Sequence, residues 1–294
     1  MVRNFVKGIL IAGLVAALAY FFVIYMPKAF AGDVVINPIA LHLGILELRW
    51  YGILIAGAVL FSYVICLKLA AQKGLSSEKM ESLIFFVVLG GLLGARAGFI
   101  VQNISEHTSD PSNMIAIYNG GLSIHGGLLG GIIAGLLAGK KMKIDLFKYM
   151  SIVAPFVLLS GAIGRFGNFF NQEIIGRPTN FFMKMYVAPS YRPIGFEDVN
   201  FFHPVFLYES ILLLGLFCLY FFVLRKKMQD NFAISYTLVA YSVARIVVEP
   251  FRIDYKPIFL KLDLAQVVSI VVILLGIIFY FWEMRSLRQQ KADN

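Results

Sequence analysis

The chain has 294 residues, 59% hydrophobic and only 15% charged, a balance too apolar for a water-soluble domain. Its formal net charge of +9 would suit a nucleic-acid partner, but the basic residues gather in short segments after apolar runs, the pattern that orients membrane proteins. Nucleic acid is excluded as a partner on that ground. An all-α polytopic membrane protein in a lipid bilayer is expected.

Residues 1–31 read as a signal-like segment or an extra span. Arg3 and Lys7 make a basic start, the run from Ile9 to Met26 is apolar, and Ala29-Phe30-Ala31 resembles a small-x-small cleavage site. The run is long for a cleaved peptide, since about 20 residues suffice to span. A retained span is the favoured reading, and residue 32 emerges outside the cytoplasm either way. A short outer segment, 32–49, then leads to Trp50-Tyr51-Gly52, whose aromatics sit where an interfacial belt belongs. The next span runs to Leu69, and Lys68, Lys73 and Lys79 mark the inside. Ser82 to Val101 returns outward with Gly90, Gly91, Gly94 and Gly98, a spacing that lets helices approach closely, and with Arg96 near its outer end.

After a polar outer loop, Gly120 to Gly139 goes inward. Its outer end carries His125 within Ser123-Ile124-His125-Gly126-Gly127, and Lys140, Lys141 and Lys143 follow it. Phe147 to Ile163 goes outward. Residues 177–202 are the longest stretch without an apolar run, and their aromatic content predicts a small outer subdomain of the 32–294 unit. His203-Pro204 precedes the span Val205 to Leu224, with Tyr208 and Glu209 early in it and Arg225, Lys226 and Lys227 after it. Phe232 to Val248 goes outward, and Leu264 to Trp282 inward, ending in Arg285, Arg288 and Lys291. Every inner boundary is basic, which predicts seven core spans in addition to the N-terminal one.

The most informative stretch is Gly164 to Gly176. It places Arg165, Asn168, Asn171, Gln172 and Glu173 at the edge of a bilayer, where a charge is costly without a partner or a task. The Arg165 fork suits a phosphate or carboxylate, and the glycines admit backbone close to a bound group. The bland alternative is an arginine snorkelling to headgroups beside helix-capping amides. Tyr51, Arg96, His125, Arg165, Asn168, Glu173, His203, Glu209, Tyr241, Arg245 and Glu249 all fall in outer halves of spans or just beyond them. The polar chemistry is therefore one-sided. Tyr241, Arg245 and Glu249, spaced by four, share a helix face. Arg245 either pairs with Glu249 within that helix or forms the second arm of an anion clamp. Arg96 suits a carbonyl or acidic partner. His125 is either a structural imidazole or a general base. Cys66 and Cys218 lie in apolar runs, where a thiol is inert. No metal-ligand spacing, Walker loop or serine elbow occurs, so no metal or cofactor is indicated.

Residues 164–176 resemble throughout the signature of the prolipoprotein diacylglyceryl transferases, Gly-Arg-x-Gly/Ala-Asn-Phe-aliphatic/Phe-Asn-x-Glu-x-x-Gly. The likeness extends from about Asn37 and takes in Arg49 to Gly52, Gly94-Ala95-Arg96, Gly120 to Gly127, His203-Pro204 with Tyr208-Glu209, and Tyr241 to Arg252. The resemblance implies a bacterial inner-membrane enzyme whose site faces the periplasm. Its partners would be phosphatidylglycerol and prolipoprotein signal peptides bearing a lipobox cysteine. The diacylglyceryl group would pass to that cysteine as a thioether, releasing glycerol 1-phosphate. The resemblance assigns catalysis to His125, Arg165, Tyr241 and Arg245. It places Arg165, Asn168, Glu173, Gly176 and Tyr51 on the substrate, and we add Arg96 and Glu249 to that set. In this chain Pro250 follows Glu249 where many members carry an aromatic, predicting an earlier helix end. Phe99 replaces a common tyrosine, and residues 1–31 exceed the usual start. An anion or lipid transporter is the alternative, but no internal repeat supports it. A membrane scaffold is the third.

Overall fold

A computed structural model gives the fold and describes residues 12–44, 46–104, 121–226, 232–258 and 261–292. Arg3, Lys7, most of the loop before Gly121 and Lys227 lie outside the described residues. Among the described residues eight long helices follow in order: α1 (Ala12–Ala31), α2 (Trp50–Gln72), α3 (Ser77–Gln102), α4 (Ile124–Met142), α5 (Leu146–Asn171), α6 (Val205–Lys226), α7 (Phe232–Val248) and α8 (Leu264–Ala292). Seven of them are long and apolar enough to cross a membrane, α4 being the exception by composition. Its glycines and its terminal Lys140 and Lys141 dilute the hydropathy. Its 19 residues still measure about 28 Å at 1.5 Å each, close to the hydrocarbon thickness of about 30 Å. The expected all-α polytopic membrane fold is what forms.

Side-chain caps set three helix starts. Ser76 accepts from the Lys79 amide at 3.2 Å, Ser123 from the Gly126 amide at 3.4 Å, and Asp145 from the Lys148 amide at 3.4 Å. Losing such a cap costs about 1 kcal/mol. Pro250 acts as expected, because α7 stops at Val248 and a 3-10 turn, Glu249–Phe251, replaces its next turn.

The glycines of α3 and α4 interlock. A Cβ on Gly90 would lie 2.8 Å from the Gly130 carbonyl oxygen, and one on Gly98 would lie 2.9 Å from Gly126 Cα. Only bare backbone fits there, so the two helices run in contact along the stripe. Helix α5 is the centre of the rest. It packs against α2, α6 and α7, and half of its membrane window is buried, against 6% for α3.

Two apolar clusters follow from this arrangement. One, around Cys66, Met80, Tyr149, Phe156, Leu158, Leu213 and Phe217, fills the bundle between α2, α5 and α6 toward the lysine-rich end. The other, around Phe169, Phe170, Val187, Phe202 and Phe206, sits at the opposite end. Helix α1 joins the second cluster. Its Phe21 ring lies 5.9 Å from both Phe166 and Phe170, and its Tyr25 stacks on Phe170 at 6.5 Å.

The segment 177–202 folds over this end. Strands Met185–Tyr186 and Phe201–Phe202 pair antiparallel, and Arg192 donates to the Val187 and Glu197 carbonyls and to Asn200 Oδ1 at 3.1, 2.6 and 2.6 Å. Ahead of α2 the chain forms an antiparallel hairpin of Ile39–Leu43 and Leu46–Arg49, which the sequence reading left as a plain outer segment. Trp50, 36% exposed at the start of α2, stacks on Phe170 at 5.1 Å.

Candidate active site

The last turns of α5 face two ways. Phe166, Phe169 and Phe170 enter the aromatic cluster. Arg165 and Asn168, three residues apart, share a different face. The Arg165 guanidinium donates a short hydrogen bond to Glu209 of α6 and a longer one, 3.5 Å, to Asn168 Oδ1. Asn168 Nδ2 donates in turn to Glu173 at 2.7 Å, and Asn171 Nδ2 reaches the same oxygen at 3.3 Å.

Beyond Asn171 the backbone turns left-handed at Gln172 (φ +49°) and again at Ile174 (φ +57°). A β-branched residue there is strained by about 1–3 kcal/mol and persists only where its surroundings hold it. The hold is visible. Gln172 Oε1 accepts from the Ala188 amide at 2.9 Å, the Ile175 carbonyl from the Ile253 amide at 3.2 Å, and the Phe251 carbonyl from the Arg177 amide at 2.8 Å. The His203 amide donates to the Arg177 carbonyl at 3.0 Å. Residues 175–177 thus form a strap between the start of α6 and the segment after α7.

The signature glycines explain themselves in this setting. A Cβ on Gly164 would lie 2.9 Å from Ile55, one on Gly167 2.9 Å from the Tyr51 ring, and one on Gly176 2.6 Å from His203 Cβ. The sequence reading gave these glycines to a bound group. In the fold they admit neighbouring protein groups, because α2 lies too close to α5 at Gly164 and Gly167, and the start of α6 too close to the strap at Gly176, for a methyl.

Helix α7 completes the cluster. Arg245 Nη2 lies 2.6 Å from Glu249 Oε2, and its Nη1 lies 3.9 Å from Glu209 Oε2. Arg252 stands 3.6 Å from Glu249 and makes two hydrogen bonds to Asp254, at 2.8 and 2.6 Å. The result is an alternating chain: Arg165, Glu209, Arg245, Glu249, Arg252, Asp254. Glu209 is only 1% exposed and Glu249 3%, so the pairing is what makes their burial tolerable. The two hydrogen bonds from Arg252 hold the Asp254 carboxyl below the usual aspartate range. Nearby, His203 Nδ1 shares a 3.0 Å hydrogen bond with the Tyr208 hydroxyl against the Phe251 ring, and burial lowers the His203 pKa.

The structure therefore brings together Arg165, Asn168, Glu173, Arg245 and Glu249, with Gly176 in the strap and Tyr51 beneath Gly167. Tyr241 lies alongside α5 at Gly161, one turn below Arg165. Arg245 makes the pairing with Glu249 that the sequence offered as one alternative, and it also faces Glu209 of α6. Two residues stand apart. Arg96 is 7% exposed and donates to the Gly121 carbonyl at 2.9 Å, with its guanidinium 5.4 Å from the Phe99 ring centroid. His125 is exposed on the first turn of α4 and forms no hydrogen bond or ion pair with the described residues. The sequence put Glu209 in the one-sided polar set without a role of its own, and it singled out neither Arg252 nor Asp254 for the site. Glu209 had one available signal, an acidic residue early in an apolar span. Among the described residues no group of three His, Cys, Asp or Glu is placed to hold a metal ion.

Comparison with known proteins settles the kinship. The sequence model of the prolipoprotein diacylglyceryl transferases matches residues 38–282. The chain belongs to that family. It is similar to the phosphatidylglycerol–prolipoprotein diacylglyceryl transferase of Thermotoga petrophila, at 37% identity over 259 residues, 87% of this chain and 88% of that one. The proteins of the same name from Fervidobacterium nodosum and a Synechocystis species are each 35% identical, over 258 and 252 residues. They cover 87% and 84% of this chain, which covers 88% and 89% of theirs. The family match starts after α1, so the helix that braces the signature phenylalanines lies outside the matched region.

Proposed function

We propose that the chain transfers the diacylglyceryl group of phosphatidylglycerol to the lipobox cysteine of prolipoproteins, the first step of lipoprotein maturation. The observation that carries this reading is the convergence of Arg165 and Arg245, from two helices, on one buried carboxylate at the bundle end opposite the lysines. Two guanidiniums so fixed suit a phosphodiester, because each has five donors and neither has used them all.

In the reaction the lipobox sulfur attacks the sn-3 carbon, a carbon–sulfur bond forms, and the carbon–oxygen bond to phosphate breaks. The thiol proton ends on the departing glycerol 1-phosphate, so charge balances. Arg165 and Arg245 hold the phosphate as negative charge builds on its bridging oxygen, with Asn168 adding a hydrogen bond. Glu249 and Glu173 orient Arg245 and Asn168. Gly176 keeps the strap in register, and Tyr51 and Tyr241 wall the site from α2 and α7. His125 serves the incoming thiol from α4, since the thiolate is the nucleophile. Arg96 acts through the backbone ahead of α4, which it ties to α3.

The basic loops support a cytoplasmic lysine-rich end, with the arginine cluster facing the periplasm of a bacterial inner membrane. Helix α1 is a retained span of the same unit. Ala29 of its cleavage-like triad is helical and 1% exposed, and Gly32 is seated on the Tyr186 ring. An intact mass lacking residues 1–31 would refute retention.

The activity is tested with purified protein, phosphatidylglycerol and a synthetic lipobox peptide, read by mass spectrometry. Wild type adds one diacylglyceryl mass to the cysteine, and folded Arg165→Ala does not. A folded, lipid-supplied wild type that adds nothing would overturn the proposal.

A further inference from the structure

A phosphate clamp does not by itself choose among phospholipids, because every glycerophospholipid carries the same phosphate. Selection has to come from a group that meets the headgroup beyond it. Three buried polar atoms of the cluster make no hydrogen bond among the described residues: Glu209 Oε2, Arg245 Nη1 and Glu249 Oε2, the last lying against Arg245 Nη2 in an ion pair. Glu209 Oε2 and Arg245 Nη1 face each other at 3.9 Å, beyond direct hydrogen-bond reach.

Their other ends are fixed. Glu209 Oε1 is held by Arg165, and Arg245 Nη2 lies 2.6 Å from Glu249. Neither can turn toward the other without giving up its present partner. Glu209 is 1% exposed, so its second oxygen is desolvated. An acceptor and a donor set this far apart suit a group that both donates and accepts. A hydroxyl oxygen fits, accepting from Nη1 at about 2.9 Å while donating to Oε2 at about 2.7 Å. An ammonium offers no acceptor to the guanidinium, and an alkyl headgroup leaves both atoms unpaired.

We propose that Glu209 and Arg245 form a hydroxyl-reading pair that selects a polyol headgroup on the phospholipid, with Glu209 as the specificity-determining residue. The inference rests on the transferase reading and deepens it. The phosphate takes the remaining donors of Arg165 and Arg245, and one headgroup hydroxyl bridges Nη1 and Oε2. Truncating that hydroxyl leaves a buried carboxylate oxygen and a buried guanidinium edge unsatisfied together, the situation in which a site rejects an analogue most strongly.

The test compares two lipids of identical acyl chains, phosphatidylglycerol and phosphatidyl-1-propanol, as donors to a lipobox peptide. Initial rates give kcat/KM for each with wild type and with Glu209→Gln. Wild type is expected to favour phosphatidylglycerol by on the order of 10- to 100-fold, the range for hydrogen bonds to charged groups. In Glu209→Gln the ratio is expected to fall to within about threefold of unity, whatever happens to the absolute rate. A smaller folded fraction scales both rates equally, so it cannot produce the expected fall in the ratio. A wild-type ratio near unity overturns the inference without any variant, and so does a Glu209→Gln enzyme that keeps the wild-type ratio. Wild type that transfers from neither lipid removes the transferase reading itself, an outcome distinct from equal transfer from both.

Discussion

Gly91 and Gly94 lie three residues apart on α3, yet they should respond oppositely to alanine. A Cβ on Gly94 would sit 2.8 Å from Gly130 Cα, with the Gly126 carbonyl oxygen closer still. Both obstacles are backbone, so neither side can rotate away. Restoring ordinary contact at 3.4 Å requires the helices to part by at least about 0.6 Å, and a gap of that size forfeits about a quarter to a half of each dispersion contact along the stripe. Overpacking of this kind costs about 1–3 kcal/mol, and two rigid obstacles place Gly94→Ala at the upper end. Alanine returns at most about 1 kcal/mol of helix propensity, leaving a net loss of about 2 kcal/mol. A Cβ on Gly91 meets nothing nearer than the Gly127 carbonyl oxygen at 3.5 Å, so Gly91→Ala is neutral or slightly stabilising. Denaturation in mild detergent measures the difference, about 2–3 kcal/mol between the variants by this arithmetic. Transfer activity should follow, because α4 carries His125 and α3 carries Arg96. Equal behaviour of the two variants, in either direction, would refute the interlocked stripe.

Other outcomes follow from the site. Arg165→Lys keeps the charge but loses the fork that reaches Glu209 and Asn168 together, so turnover is expected to fall on the order of 10²- to 10³-fold, read as kcat at saturating lipid. A lysine enzyme with wild-type kcat would argue against a bidentate role. Gly176→Ala drives a methyl into His203 and Val205 and should cost about 1–3 kcal/mol in the same denaturation experiment. Unchanged stability there would mean that the strap is loose. Burial lowers the His203 pKa, so the folded state favours its neutral form. That contribution is complete above the unfolded value of about 6.5 and is lost as pH falls toward the folded value, so stability should decline on acidification below about pH 7. His203→Gln should flatten that slope, and an unaltered slope would assign it to other groups.

Much of the fold was readable because membrane insertion imposes long apolar runs and an inside bias of lysine and arginine. Even α4, too dilute in hydropathy to qualify by composition, was placed by its basic end and glycine spacing. Arg165 and Asn168 were readable for a similar reason: so many polar groups in so few residues are rare beside a bilayer. What the sequence withheld was tertiary pairing. Nothing local says that Glu209 of α6 reaches both Arg165 of α5 and Arg245 of α7, or that Arg252 continues the chain of charges to Asp254. The glycines of the signature look alike whether they admit a ligand or a neighbouring side chain, and only the packed helices show that Tyr51, Ile55 and His203 fill those places. The direction of His125, exposed on α4, is likewise invisible to spacing. The cleavage-like triad at Ala29 to Ala31 reads the same in the sequence whether exposed or buried, and the fold buries Ala29.

The rings that join α1 to α5 also fix its direction. Phe21 meets Phe166, Tyr25 meets Phe170, and Phe30 reaches Phe169 and Phe206, so α1 advances in the same sense as α5. Helix α5 rises from Lys148 at the lysine-rich end, and α8 descends to Arg285 at that same end. Residue 12 and residue 285 therefore share one face of the membrane. Adding one helix in front of the family-matched region changes the parity of the chain, and labels placed near these two residues would be modified by the same impermeant reagent from the same side.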